Sequence, residues 1–175
     1  MRNVTDQLAN YAAYHRDRRN IATHLLGVPM IVFSVVLLLA RPAVEVAGLS
    51  VTPAIVALIA AGIYYLLLDI SLGLGLVVAI GIMVWVGQMV AAASTLTWLM
   101  VGIGMFVVGW IIQFIGHYYE GRKPAFVDDI LGLLIGPLFV LAEVVFMFGG
   151  RAELRAAIEA RVGPTLPRRG QSSAA

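Results

Sequence analysis

The chain has 175 residues, 61% hydrophobic and 13% charged, with a mean hydropathy of +0.92. A water-soluble domain is nearer a quarter charged and just under half apolar, so this composition excludes an ordinary soluble globule and points to an integral membrane protein. A net charge of +2 is too small for tracking a phosphate backbone, so no nucleic-acid partner is expected, and the absence of cysteine excludes disulfides, thiolate metal sites, cysteine nucleophiles and iron–sulfur clusters.

The pattern predicts an all-α, polytopic membrane helical bundle: one integral membrane domain over 1–150 and a basic tail over 151–175. A polar amino-terminal segment, 1–23, carries Arg2, Arg16, Arg18 and Arg19. The apolar run that follows lacks a signal-peptide cleavage site and reads as a retained first helix, 24–40. A second helix is expected over 47–68, with Pro53 near its start and Asp69 at its end. From Ile70 to Gly116 no residue is charged. As one helix this stretch would be about 70 Å long, over twice the hydrocarbon thickness, so it must fold back. The hydroxyl residues Ser94 and Thr95 mark the break, giving helices at 71–93 and 96–116. A charged stretch follows, whose Asp128 and Asp129 are placed to cap a fifth apolar segment, 130–148. The tail holds five arginines and ends in a Pro, Gly, Ser and Ala stretch expected to be disordered.

Positive-inside counting places the amino terminus in the cytoplasm, and four crossings return the 117–129 loop to the same face. A fifth crossing would carry the tail arginines outside. A re-entrant turn at Gly136-Pro137 is favoured over a simple span, and the GLLIG at 132–136 marks close helix packing at most.

This topology brings all three histidines, His15, His24 and His117, near one membrane face. Histidines at one depth are what a surface metal site needs. Gln113, His117 and Glu120 are spaced to share one face of a helix. His15 and His24, nine apart, would point to opposite sides of a straight helix, so a shared metal requires a bend between about Arg16 and Asn20. Taken singly, each histidine equally fits a helix cap or a headgroup anchor. Glu143, an ionisable group in an apolar segment, needs a partner: an arginine, a histidine or a proton. Arg122 and Lys123 also read as topogenic charges. Gln88, Tyr64, Tyr65 and the tryptophans read as packing or interface anchors, and the methionines as core filler.

Three histidines cannot supply the histidine-rich sets of membrane di-iron hydroxylases and desaturases. No GxSxG, HExxH or P-loop pattern occurs. What remains for a metal is a small mononuclear nitrogen and oxygen site, two or three histidines with one carboxylate, which suits non-haem iron(II).

The blocks YHRDRRNIATHLLGVP, QFIGHYYEGRKPA and GPLFVLAE, in this order, resemble the DUF962, or Mpo1-like (YGL010w-like), membrane family. Characterised members are iron(II)-dependent dioxygenases that shorten 2-hydroxy fatty acids by one carbon in alpha-oxidation. The resemblance implies His15, His24 and His117 as iron ligands, Fe2+ as cofactor and O2 as cosubstrate, with no haem and no 2-oxoglutarate. Within the same blocks, Glu120, Tyr118 and Asn20 are the expected catalytic or orienting groups. Arg122, Lys123, or one of Arg16, Arg18 and Arg19 would meet the substrate carboxylate, and Glu143 and Gln113 would support the ligands from outside. The expected partners are a 2-hydroxy fatty acid or related lipid and the membrane lipids, and a homo-oligomer is left open. The site would lie on the cytoplasmic face of a bacterial inner membrane, or of the endoplasmic reticulum in a eukaryote. Two readings from other classes compete: a non-catalytic lipid-binding or assembly protein, and a small bis-histidine haem protein using His24 and His117.

Overall fold

The computed structural model describes residues 3–128 and 130–166, and it is helical apart from one short hairpin. The chain divides into two compact units, one comprising Met1–Val28 and Ile111–Ala175, the other Pro29–Trp110.

In the first unit, α1 (Val4–Ala12) starts on a capping box in which Asn3 and Asp6 exchange side-chain to backbone hydrogen bonds. It packs Leu8, Ala9, Tyr11 and Ala12 against α6 (Gly132–Met147) and α7 (Ala152–Val162). The chain then breaks, and α2 (Arg18–Leu38) begins. The last turns of α5 (Thr95–Glu120) belong here as well. Beyond α5 a 3-10 turn, Ala125–Val127, leads to α6, whose inward face carries Ile135, Leu138, Phe139, Ala142 and Phe146. Between α6 and α7 the chain bends by 116°, with Gly149 and Arg151 both at positive φ.

In the second unit, the remainder of α2 leads to a hairpin of β1 (Val44–Val46) and β2 (Leu49–Val51), paired Val44 to Val51 and Val46 to Leu49. Its turn residues Ala47 and Gly48 both have positive φ, the requirement of a tight hairpin turn. α3 (Pro53–Leu68) and α4 (Ile70–Ala91) then form a helical hairpin joined only by Asp69, which caps α4 by accepting from Leu72 N (3.0 Å) and Ser71 Oγ (2.9 Å). A Cβ on Gly73 would stand 2.6 Å from the Tyr65 carbonyl oxygen, so only glycine allows this turn. Arg41 donates to the carbonyls of Ala91 and Ala93 at the end of α4, and its guanidinium lies over the Trp98 ring.

α2, α4 and α5 are each long and apolar enough to cross a membrane, and α6 with α7 make a fourth candidate if the bent pair is one span. Four full spans plus a fifth segment are therefore not what the helix lengths give. Residues 47–51 go to the hairpin, and α3, starting on its Thr52 cap, has 16 residues. α2 starts six residues before the expected point, and α5 runs to Glu120 rather than Gly116. α6 passes unbroken through Gly136-Pro137. Pro137 lies close to the helix start, where a missing N–H removes a single interior bond, and the reversal comes instead at the glycines after Met147. The N-cap position of α6 is Leu131, and of the two expected caps Asp128 is instead held by Lys123 and Tyr14. Asp129 and the end of the tail, 167–175, lie outside the described residues.

Candidate metal centre

The inward stripe of α5 in the first unit is polar. Gln113, Gly116 and His117 are its buried residues there and Glu120 is half-buried, whereas Ile111, Phe114, Ile115 and Tyr118 are exposed. In a membrane helix this inverted pattern is expected where polar groups meet other polar groups inside the protein. Opposite the stripe stands the start of α2. A Cβ on Gly116 would lie 2.0 Å from Thr23 Oγ1 and 2.5 Å from Asn20 Oδ1. The absence of a side chain at 116 lets the two backbones approach until His24 and His117 meet.

His15 arrives from the segment between α1 and α2. The three imidazoles are buried, and one nitrogen from each lies within 4.8 Å of the others. His15 Nε2 and His24 Nε2 are 3.0 Å apart. The opposite ring nitrogens fix which atoms face inward. His15 Nδ1 donates to the Tyr11 carbonyl (2.7 Å) and His24 Nδ1 to the Asn20 carbonyl (2.8 Å). A carbonyl can only accept, so each Nδ1 carries its proton and the two Nε2 lone pairs confront one another. Burial first, and then the neighbouring His24, push His15 well below the ordinary imidazole range, so protonation is a poor way of relieving this contact. A cation shared by the three rings would relieve it. Backbone acceptors behind the ligand rings are the usual device for orienting metal-binding histidines. The donor set therefore fits a divalent metal held by three neutral nitrogens.

Two further features hold His15. Tyr11 stacks on its ring, with centroids 4.2 Å apart and planes 6° from parallel, and Phe139 closes the same side at 5.4 Å. Glu120 fastens the bend. Its carboxylate accepts from Arg16 N (2.9 and 3.0 Å), Asp17 N (2.8 Å) and Asn20 Nδ2 (3.0 Å). Glu120 thus braces the turn before α2 from the carboxyl end of α5, where its charge would be unfavourable to its own helix, while the start of α2 is capped by Asp17, whose Oδ1 accepts from Arg19 N (2.8 Å). A bend separates His15 from His24, but it comes earlier than the expected Arg16 to Asn20: the chain leaves α1 after Ala12 and is already helical from Arg18.

The remaining expected residues divide clearly. Asn20 is buried at the bend. Tyr118 is not brought to the histidines: it is 82% exposed, because one residue past His117 turns it about 100° around the helix. Arg19 is paired with Asp17 (2.7 Å) and lies over Tyr119. Arg122 donates to the Ala13 carbonyl near the end of α1 (2.9 Å), and Lys123 is paired with Asp128 (2.6 Å). Arg16 is engaged with the carbonyls of His15 and Gly163. All four cations serve the chain itself. Arg18, for which no ion pair is present among the described residues, borders a cleft of about 460 Å³ lined by Ile21, Leu25, Phe146 and Met147, with Glu143 and Arg155 on its wall. Glu143 faces the charges of Arg16 and Arg155 and is not in the histidine cluster. Glu120, with both oxygens on N–H donors, is not in it either, so the expected carboxylate member is missing among the described residues. Tyr11, whose i, i+4 spacing puts it on one helical face with His15, joins the site although the sequence assigns it no role there.

The chain matches the family model described as 2-hydroxy-palmitic acid dioxygenase Mpo1-like over residues 1–148. It is 31% identical over 158 residues, 89% of this chain and 87% of the relative, to the 2-hydroxy-palmitic acid dioxygenase MPO1 of Saccharomyces cerevisiae. No solved structure matches it.

Proposed function

Since the chain belongs to the Mpo1-like family, we propose that it is a membrane dioxygenase with an iron(II) cofactor, shortening 2-hydroxy fatty acids by one carbon. The observation that carries this reading is the pair of His15 and His24 lone pairs 3.0 Å apart, with His117 completing the set. Iron(II) held there would supply the redox chemistry for oxygen and a Lewis-acidic point for the substrate's oxygens.

The overall reaction balances without a further reductant: R–CHOH–COOH plus O2 gives R–COOH, CO2 and H2O. The chain's own groups account for the substrate class. Three neutral imidazoles add no negative charge, so the site leaves the ion's charge for an anionic ligand to balance. A 2-hydroxy carboxylate offers that charge together with a second oxygen for chelation. Arg18, bordering a cleft with apolar walls, suits an acid with a long chain. The carbonyls of Tyr11 and Asn20 hold the two imidazole tautomers, and burial of the rings excludes bulk water. By the positive-inside rule the centre lies at the cytoplasmic face. A bis-histidine haem is disfavoured, because His24 and His117 have centroids 5.1 Å apart with His15 packed against both, leaving no slot for a macrocycle.

The test is purification with metal analysis, followed by incubation with a 2-hydroxy fatty acid under oxygen. Near-stoichiometric iron and a product one carbon shorter are expected. A preparation reconstituted with iron(II) that consumes no 2-hydroxy acid would refute the reading, and a metal-free protein that binds lipid would favour a non-catalytic role.

A further inference from the structure

Among the described residues, four buried side-chain nitrogen or oxygen atoms of Asn20, Gln113 and His117 have no hydrogen-bond partner. Gln113 is the extreme case. It is 3% exposed, and neither its Oε1 nor its Nε2 has a partner. It lies one helical turn from His117, on the same stripe and away from the charged end of α5. Asn20 Oδ1 sits against the backbone of Gly116, between these two residues in sequence. A buried amide with both ends unsatisfied costs several hydrogen bonds' worth of desolvation, and folded proteins rarely carry one without a ligand or a bound water.

We propose that the Gln113 amide binds the polar head of the lipid substrate and reads its 2-hydroxyl. This deepens the dioxygenase reading and rests on it. A primary amide has a donating NH2 end and an accepting oxygen end, so Nε2 can donate to a head-group oxygen while Oε1 accepts from the hydroxyl. The same pairing sets specificity. An acid without the hydroxyl leaves buried Oε1 unpaired, and a site built around a hydroxyl rejects such an analogue far more strongly than an apolar pocket could. Gln113 is thus assigned as a specificity-determining residue that touches substrate, whereas Glu120 acts through the position of His15.

The experiment compares wild-type full-length protein with Gln113→Leu, both loaded with iron(II) without oxygen. Binding of 2-hydroxyhexadecanoic acid and of hexadecanoic acid is measured. Wild type should prefer the hydroxy acid; Gln113→Leu should lose roughly 10- to 100-fold in affinity for it, with the plain acid little changed. Iron content should be unchanged. The melting temperature of the metal-free, lipid-free variant should not fall, because leucine removes an unsatisfied group rather than a bond. Unchanged preference in Gln113→Leu, loss of iron, or a lowered melting temperature would each overturn the assignment, the last two by making Gln113 structural and unchanged preference by leaving it only a water. Gln113→Asn, which withdraws the amide by one methylene, should give the same loss of preference with the fold kept, and serves if the leucine variant does not accumulate. If wild type binds iron but neither acid, the dioxygenase reading falls together with this one; if wild type discriminates and the variants do so equally, this one falls alone.

Discussion

At the level of single residues, the centre separates groups that would touch a metal from groups that place them. Replacing His15, His24 or His117 by alanine should abolish turnover and leave little bound iron, measured by elemental analysis; a variant with full activity is not a ligand variant. Glu120 is of the second kind. Glu120→Ala removes the acceptor for Arg16 N, Asp17 N and Asn20 Nδ2, and should weaken iron binding by about 10- to 100-fold, the usual effect of losing a group behind the ligands. Glu120→Gln keeps one acceptor oxygen and should retain a larger share of the iron. Equal iron affinity in the alanine variant and wild type would remove Glu120 from the support. The sequence displayed the three histidines plainly and put Glu120 on one helix face with His117, yet its use was not legible. A carboxylate four bonds from its backbone can equally bind a cation or accept from backbone N–H groups, and only the arrival of the Arg16 and Asp17 N–H groups ahead of α2 decides between them. Tyr118 erred the other way, since closeness in sequence to His117 says nothing of facing it.

At the level of elements, the site depends on α2 and α5 coming together without a side chain between them. Gly116→Ala would place a methyl group inside contact distance of Thr23 and Asn20. It should destabilise the protein by about 1–3 kcal/mol as an overpacked contact, read as a lower melting temperature, and lower iron affinity. If both stay at wild-type values, the helices do not meet as described. The loop beyond α5 gives a separate expectation. Lys123 and then the Tyr14 hydroxyl hold the Asp128 carboxyl below its ordinary range. A carboxyl whose folded value is depressed contributes stability that is present above the unfolded value, near 4, and is lost as pH falls through the folded one. The effect is small, because the group is exposed. Asp128→Asn should therefore flatten the acid limb of a stability profile while leaving the neutral region nearly unchanged. Helix positions followed well from hydropathy, since burial in lipid imposes length and apolar composition directly. The ends did not: the hairpin over 44–51 and the run of α5 to Glu120 are set by turn geometry and by polar partners in distant segments.

For the whole molecule, metal and fold should be linked. A ligand that binds only the folded chain stabilises it by mass action, about 2.7 kcal/mol at a hundredfold excess over Kd, so iron(II) should raise the melting temperature of wild type and not of His24→Ala. The absence of cysteine makes topology testable with single introduced thiols. Ser94→Cys and Lys123→Cys flank α5 and should be labelled by a membrane-impermeant reagent from opposite faces; labelling of both from one face would mean that α5 does not cross. Composition and hydropathy by themselves determined a helical membrane protein, and the order of three sequence blocks pointed to the family, because solvation by lipid acts on every residue and leaves a mark that can be counted. The tertiary structure decided which nitrogens face one another, which carboxylate is consumed in bracing the turn before α2 and which amide is left without a partner. Those outcomes rest on directional contacts of a few ångströms between segments about a hundred residues apart, and a linear pattern carries no record of direction.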